Sequence, residues 1–274
     1  MVCTNNNEID VLSITIGEFP IALKFDNPEF LDDNKEVFVN FISENEDHSI
    51  NIEVEYVKNF NTFDPPLETP KISIDSLNRT CDMLGNGFEG EFLMDKMEGR
   101  VKSGHHVGIN SFLRIVFSMI LLKEKGFIAH ASSLIRDGKG YIFPGKSGAG
   151  KTTITRLTPD GTLLTDEVSL VRKVNGKFRA YGTPFWGELA IGGENTSAPL
   201  NKIFFPVKDD KNYVKELKTL KALEMILPNV IFYICNEDME RKLFELCYEF
   251  VCDVSPNELH FLPEPAFWRH IDAG

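Results

Sequence analysis

Between Tyr141 and Leu157 the chain reads YIFPGKSGAGKTTITRL, and residues 145 to 152 satisfy G-x-x-x-x-G-K-[ST] at every fixed position. Tyr141, Ile142 and Phe143 read as the end of a buried strand, and Thr153 to Leu157 begin a helix. A glycine loop between a strand and a helix is the setting that phosphate binding requires. Gly145, Gly148 and Gly150 permit a turn that aims successive backbone N–H groups inward, and a helix starting near Lys151 adds its positive end. The expected nucleotide-binding residues are therefore Gly145, Lys146, Ser147, Gly148, Ala149, Gly150, Lys151, Thr152 and Thr153. In such a loop Lys151 sits between the terminal phosphates and the Thr152 hydroxyl holds Mg²⁺.

The chain has 274 residues, 42% of them hydrophobic, enough for one large domain or two modest ones. A net charge of −12 argues against a nucleic-acid backbone or an anionic membrane surface as partner, while leaving room for a local basic pocket. Cys3, Cys81, Cys235, Cys247 and Cys252 are odd in number and contain no C-x-x-C pair, so neither a disulfide framework nor a zinc site is expected. A reducing cytoplasm fits this usage. The stretch MVCTNNNEID shows no basic segment followed by an apolar run, so no secretory signal is expected there. The most apolar helical stretch, Ile109 to Lys125, carries Asn110, Arg114 and Lys123 and reads as a buried helix rather than a membrane span.

From Glu8 to about Gly104 the signals are those of strands, VLSITI, VFVNFI and INIEVEYV, punctuated by Asp26-Asn27-Pro28, Asp32-Asp33-Asn34 and Asp64-Pro65-Pro66. This predicts a β-rich region over residues 1–105, for recognition or packing, followed by a nucleotide-binding domain over 106–274. Gly104-His105-His106 reads as a hinge. Neighbouring histidines rarely point the same way, so no metal is assigned to them. After the helix, Phe127 to Ile135 and Tyr141 to Phe143 form two strands joined by Asp137-Gly138-Lys139-Gly140, a strong hairpin signal. That places His130 on the strand beside the one feeding the loop, within reach of the phosphate mouth. A second hairpin is expected around Asn175-Gly176, then a strand at NKIFFPV, amphipathic helices over Val214 to Leu227 and Met239 to Val251, and a last strand at ELHFL.

Thr162 to Glu167, TLLTDE, reads as a short buried strand ending in two acids, where a metal contact or a general base is needed beside such a loop. Glu188 is a candidate second metal contact. Asp166 lies only fourteen positions after Thr152 and no LSGGQ-like segment precedes the pair, which excludes an ABC-type ATPase. An N-K-x-D segment is missing too, which excludes a GTPase.

The order His130, hairpin, loop, short helix, Asp166-Glu167 resembles the HPr kinase/phosphorylase family, which shares a core with phosphoenolpyruvate carboxykinase. The matching stretch is HASSLIRDGKGYIFPGKSGAGKTTITRL…LLTDEVSLV…GTPFWGEL, about Phe127 to Ala190 and a quarter of the chain. The resemblance implies an α/β fold with a P-loop kinase core and a mixed sheet behind the β-rich N-terminal region. It also implies a site in which His130 lies near the transferred phosphoryl group, Glu167 accepts the hydroxyl proton, and Thr152, Asp166 and Glu188 hold the metal. Glu167 stands where that family has Asp, and its phosphorolysis loop has no counterpart here, so forward transfer is the expected direction. The carboxykinase itself needs a longer chain. The expected activity is ATP- and Mg²⁺-dependent transfer of a phosphoryl group to a hydroxyl, serine first, of a protein, peptide or small molecule. Two alternatives stand beside it: a regulatory module that binds ATP without transfer, and a maturation kinase for a small peptide or free amino acid. A homo-oligomer is compatible with all three.

Overall fold

The computed structural model describes residues 10–60, 66–75, 79–187, 189, 192–233 and 236–273. The protein is α/β with mixed sheets and a β-rich N-terminal unit. Two compact units divide the chain at Val116 and Phe117.

The first unit holds strands β1 (Asp10–Ile16), β2 (Phe19–Phe25), β3 (Ile50–Tyr56), β4 (Lys71–Asp75), β5 (Thr80–Gly85), β6 (Phe88–Leu93) and β7 (Glu98–Ser103) in one sheet of order β1-β2-β3-β7-β6-β5-β4. The β2–β3 and β3–β7 pairings are parallel and the rest antiparallel. Alternation sets the register. Ile50, Ile52 and Val54 of β3 are buried, while Glu53 and Glu55 meet Arg100 and Lys102 of β7 at 2.6 and 3.5 Å.

VFVNFI, expected as a strand, is not one. Helix α1 runs Pro28–Val37, and a short 3-10 turn takes Val39–Phe41. Asn27 caps α1 by accepting the Phe30 N–H at 2.8 Å, and Pro28 opens its first turn. Buried Phe30, Asn34, Phe38 and Phe41 recur at helical spacing, and this longer period overrides the local strand preference of Val37 to Ile42.

Helix α2 (His106–Lys123) is, among the described residues, the one helix long and apolar enough to cross a membrane; it is 67% buried inside the protein, as a core helix is.

The second unit holds β8 (Gly126–Arg136), β9 (Lys139–Pro144), α3 (Lys151–Arg156), β10 (Thr162–Thr165), β11 (Val168–Val174), β12 (Lys177–Tyr181), β13 (Ser197–Lys208), β14 (Tyr213–Glu216), α4 (Thr219–Ile226), β15 (Val230–Ile231), α5 (Glu237–Asp253), β16 (Ser255–Phe261) and α6 (Trp268–Asp272). Its nine-stranded sheet is ordered β10-β8-β11-β12-β13-β16-β14, with β9 between β8 and β13 and with β15 on β8. Strand β9 is antiparallel to β8 and parallel to β13.

Both faces of this sheet are covered. Ile142, Ile203 and Phe205 pack with Leu223, Ile226, Cys247 and Phe250 of α4 and α5. Tyr141, Phe143 and Phe204, pointing the other way, pack with Ile154 of α3 and with Phe267 and Trp268. Strand β9 is thus buried on both sides, the environment its continuous apolar run calls for.

The expected helix over Val214–Leu227 is shorter. Tyr213–Glu216 pair with β16 as a strand, and in α4 the buried residues are Ala222, Leu223 and Ile226, leaving Leu220 70% exposed. Val214 and Leu217 belong to the sheet edge and its exit, so their spacing with Leu220 was a coincidence of two elements.

Candidate active site at the end of β9

The hairpin β8–β9 turns at Asp137-Gly138 and pairs Ala131 with Pro144, which sets His130 beside the start of the glycine loop. The His130 carbonyl accepts the Gly145 N–H at 3.3 Å. Within the loop Gly150 has φ +106°, and a Cβ there would lie 2.7 Å from the Phe261 ring, so only glycine fits. The next residue, Lys151, opens α3 and is 6% exposed.

The Lys151 ammonium donates to the carbonyls of Gly145 and Lys146 at 2.7 and 3.3 Å and meets Nε2 of His130 at 3.0 Å. On its other side His130 Nδ1 lies 3.1 Å from Glu167 Oε1. An ammonium has only donors, so Nε2 is the acceptor and Nδ1, the nitrogen that faces Glu167, carries the ring's proton. Lysine, histidine and glutamate form one chain of polar contacts.

That chain opens on a cleft of about 270 Å³ lined by His130, Ser147, Lys151, Thr152, Glu167 and Lys208, with Gly148, Gly150, Thr153 and Gly187 between them. Gly187 sits against Glu167: a Cβ there would stand 2.8 Å from Oε2. A larger concavity in the first unit, about 450 Å³, has charged walls balanced between Lys71, Arg100, Lys102 and Asp82, Glu89, Glu91, and it contains neither histidine nor cysteine.

Of the two acids after β10, one reaches the cleft. Asp166 is 1% exposed, and its carboxylate oxygens accept the N–H groups of Gly187 and Leu189 at 2.9 Å each. It pins the loop that backs Glu167. The sequence places the acids side by side, and the bend after β10 turns them apart, because Thr165 Oγ1 accepts the N–H groups of Glu167 and Val168. Glu188 lies outside the described residues. Among the described residues no group of three or more histidine, cysteine or acidic side chains gathers as a metal site. The side chain on the cleft wall whose chemistry fits a cation beside phosphates is the Thr152 hydroxyl.

Lys208 escaped the sequence reading. It ends β13, and only the parallel pairing of β13 with β9 carries that end to the loop's edge of the sheet. The strand NKIFFPV was legible, but its neighbour in space was not.

The family model of SynChlorMet cassette protein ScmC matches residues 98–255, more than half of the chain and the whole of this cleft. A comparison with curated proteins returns no match. The resemblance to HPr kinase/phosphorylase over residues 127–190 is corrected by the family match, which is to ScmC and not to an HPr kinase family. The motifs that carried it, a glycine loop and two nearby acids, are those that phosphate chemistry imposes on many families.

Proposed function

The chain belongs to the ScmC family of SynChlorMet cassette proteins, and from the cleft's own chemistry we propose an ATP-dependent phosphotransferase whose acceptor is a hydroxyl of a protein, peptide or small molecule. The second unit is then a P-loop kinase core. The observation that carries the reading is the Glu167–His130–Lys151 chain of polar contacts on the wall of the glycine-loop cleft.

The loop amides and Lys151 hold the β- and γ-phosphates. Lys151 exchanges its bonds to Gly145, Lys146 and His130 for phosphate oxygens. The acceptor hydroxyl attacks the γ-phosphorus as the bond to the ADP oxygen breaks, and its proton passes to the Glu167 carboxylate, leaving a phosphoester and ADP. His130 steadies Glu167 through Nδ1–H, and Gly187 leaves room at Oε2. The Thr152 hydroxyl would hold Mg²⁺, which would neutralise charge on the terminal phosphates. Asp166 acts as a positioning residue. ATP as donor makes the cytoplasm the compartment of this reading.

The second reading, a module that binds ATP without transfer, is favoured by one observation: the Asp166 carboxylate is taken up by backbone N–H groups. Incubation with γ-labelled ATP and an extract of the source cells separates the two. Label on a protein, peptide or metabolite that disappears with Glu167→Gln supports the transferase. Tight ATP binding with no label transferred supports the module.

A further inference from the structure

Strand β9 delivers the glycine loop from between two neighbours, β8 on one side and β13 on the other. From β8 comes His130, and from the end of β13 comes Lys208. In the parallel β13–β16 pairing Lys208 is the partner of Phe261, the residue whose ring leaves no space for a side chain on Gly150. Lys208 therefore stands beside the last glycine of the loop and lines the cleft with Lys151 and Thr152.

Its electrostatic setting is distinctive. Lys173 is held by Glu249 and Asp253, and Lys215 by Glu258, whereas Lys208 is exposed and makes no ion pair among the described residues. The adjacent acid, Asp209, turns elsewhere: Oδ2 bonds His260 Nδ1 at 2.8 Å and the Tyr213 hydroxyl at 3.3 Å, and Oδ1 accepts the Asp210 N–H at 2.7 Å. A cation with no ion-pair partner among the described residues, in a chain of net charge −12 and on a wall that otherwise carries hydroxyls, glycines, Lys151, His130 and the single acid Glu167, is matched to a multiply charged phosphate chain.

We infer that Lys208 is a second phosphate-binding cation of this cleft, gripping the polyphosphate chain from the β13 side while Lys151 grips it from within the loop. The inference rests on the ATP-binding reading of the same cleft. Since the contact is to phosphate, it serves inorganic pyrophosphate as well as ATP.

Calorimetric titration of the full chain with Mg-ATP, and separately with Mg-pyrophosphate, tests it on the wild type, Lys208→Gln, Lys208→Arg and Lys151→Ala. Lys208→Gln should weaken both ligands about tenfold or more, the loss of one charge-assisted hydrogen bond, with an unchanged melting temperature. Lys208→Arg should stay within about threefold of the wild type. Unchanged binding in Lys208→Gln alongside lost binding in Lys151→Ala overturns the role of Lys208 and leaves the ATP site standing. Weakened ATP with unchanged pyrophosphate also overturns it, since the contact would then be to base or ribose, as does an arginine variant as weak as the glutamine one. A wild type that binds neither ligand removes the ATP site and this inference together.

Discussion

The ammonium of Lys151 lies 3.0 Å from Nε2 of His130, so the residue proposed to grip phosphate and the residue proposed to steady the base share one hydrogen bond. In the proposed reaction nucleotide breaks that bond and leaves His130 its contact with Glu167. His130→Gln should therefore lower phosphoryl transfer by about tenfold to a hundredfold through Glu167 misplacement, while ATP affinity stays within about threefold. Transfer assays paired with binding titrations read the two effects separately.

Asp166 answers to a different measurement. Asp166→Ala leaves the N–H groups of Gly187 and Leu189 without their charged acceptor at a buried position, a loss of about 3 kcal/mol of stability. Asp166→Asn keeps one acceptor oxygen and should lose about half as much. Urea unfolding of the three proteins gives the order.

Gly150→Ala sets a methyl group 2.7 Å from the Phe261 ring at φ +106°. The loop must shift, and ATP binding should fall at least tenfold with a lowered melting temperature. A Gly138→Ala control, in the β8–β9 turn where φ is +72° but nothing lies within 4 Å of the new methyl, should leave ATP binding intact.

Two thiols should be inert until the protein opens. Burial raises Cys81 to about 11, with Asp82 adding to it, and Cys247 to about 12. Iodoacetamide at pH 8 should label the exposed Cys252 while sparing both. Because their folded-state values lie above the ordinary value of 9.0, the folded protein holds protons that the unfolded chain releases. The stability this gives is complete below pH 9 and is lost as pH rises toward 11 and 12. Peptide mapping and alkaline unfolding check both statements.

Short-range chemistry made much of the second unit legible. Asp137-Gly138 and Asn175-Gly176 make the two expected hairpins because left-handed turns demand those residues locally. The glycine loop and His130 on the adjoining strand follow from the same local order. What the sequence hid depends on distant neighbours. Phe38 and Phe41 look like strand residues until the capped helix ahead of them is seen, and Val214 looks helical until β16 lies beside it. Asp166 and Glu167 read as a matched pair, although Thr165 turns one toward the cleft and one beneath a loop. Lys208 had no motif at all.

The proposed activity requires the phosphates of ATP to lie against Lys151. Equilibrium binding of a fluorescent ATP analogue, with Mg²⁺, to wild type and to Lys151→Ala tests this most directly. Binding should be saturable and displaced by unlabelled ATP in the wild type, and at least a hundredfold weaker in the variant. Equal binding by the two proteins, or none by the wild type, would contradict it.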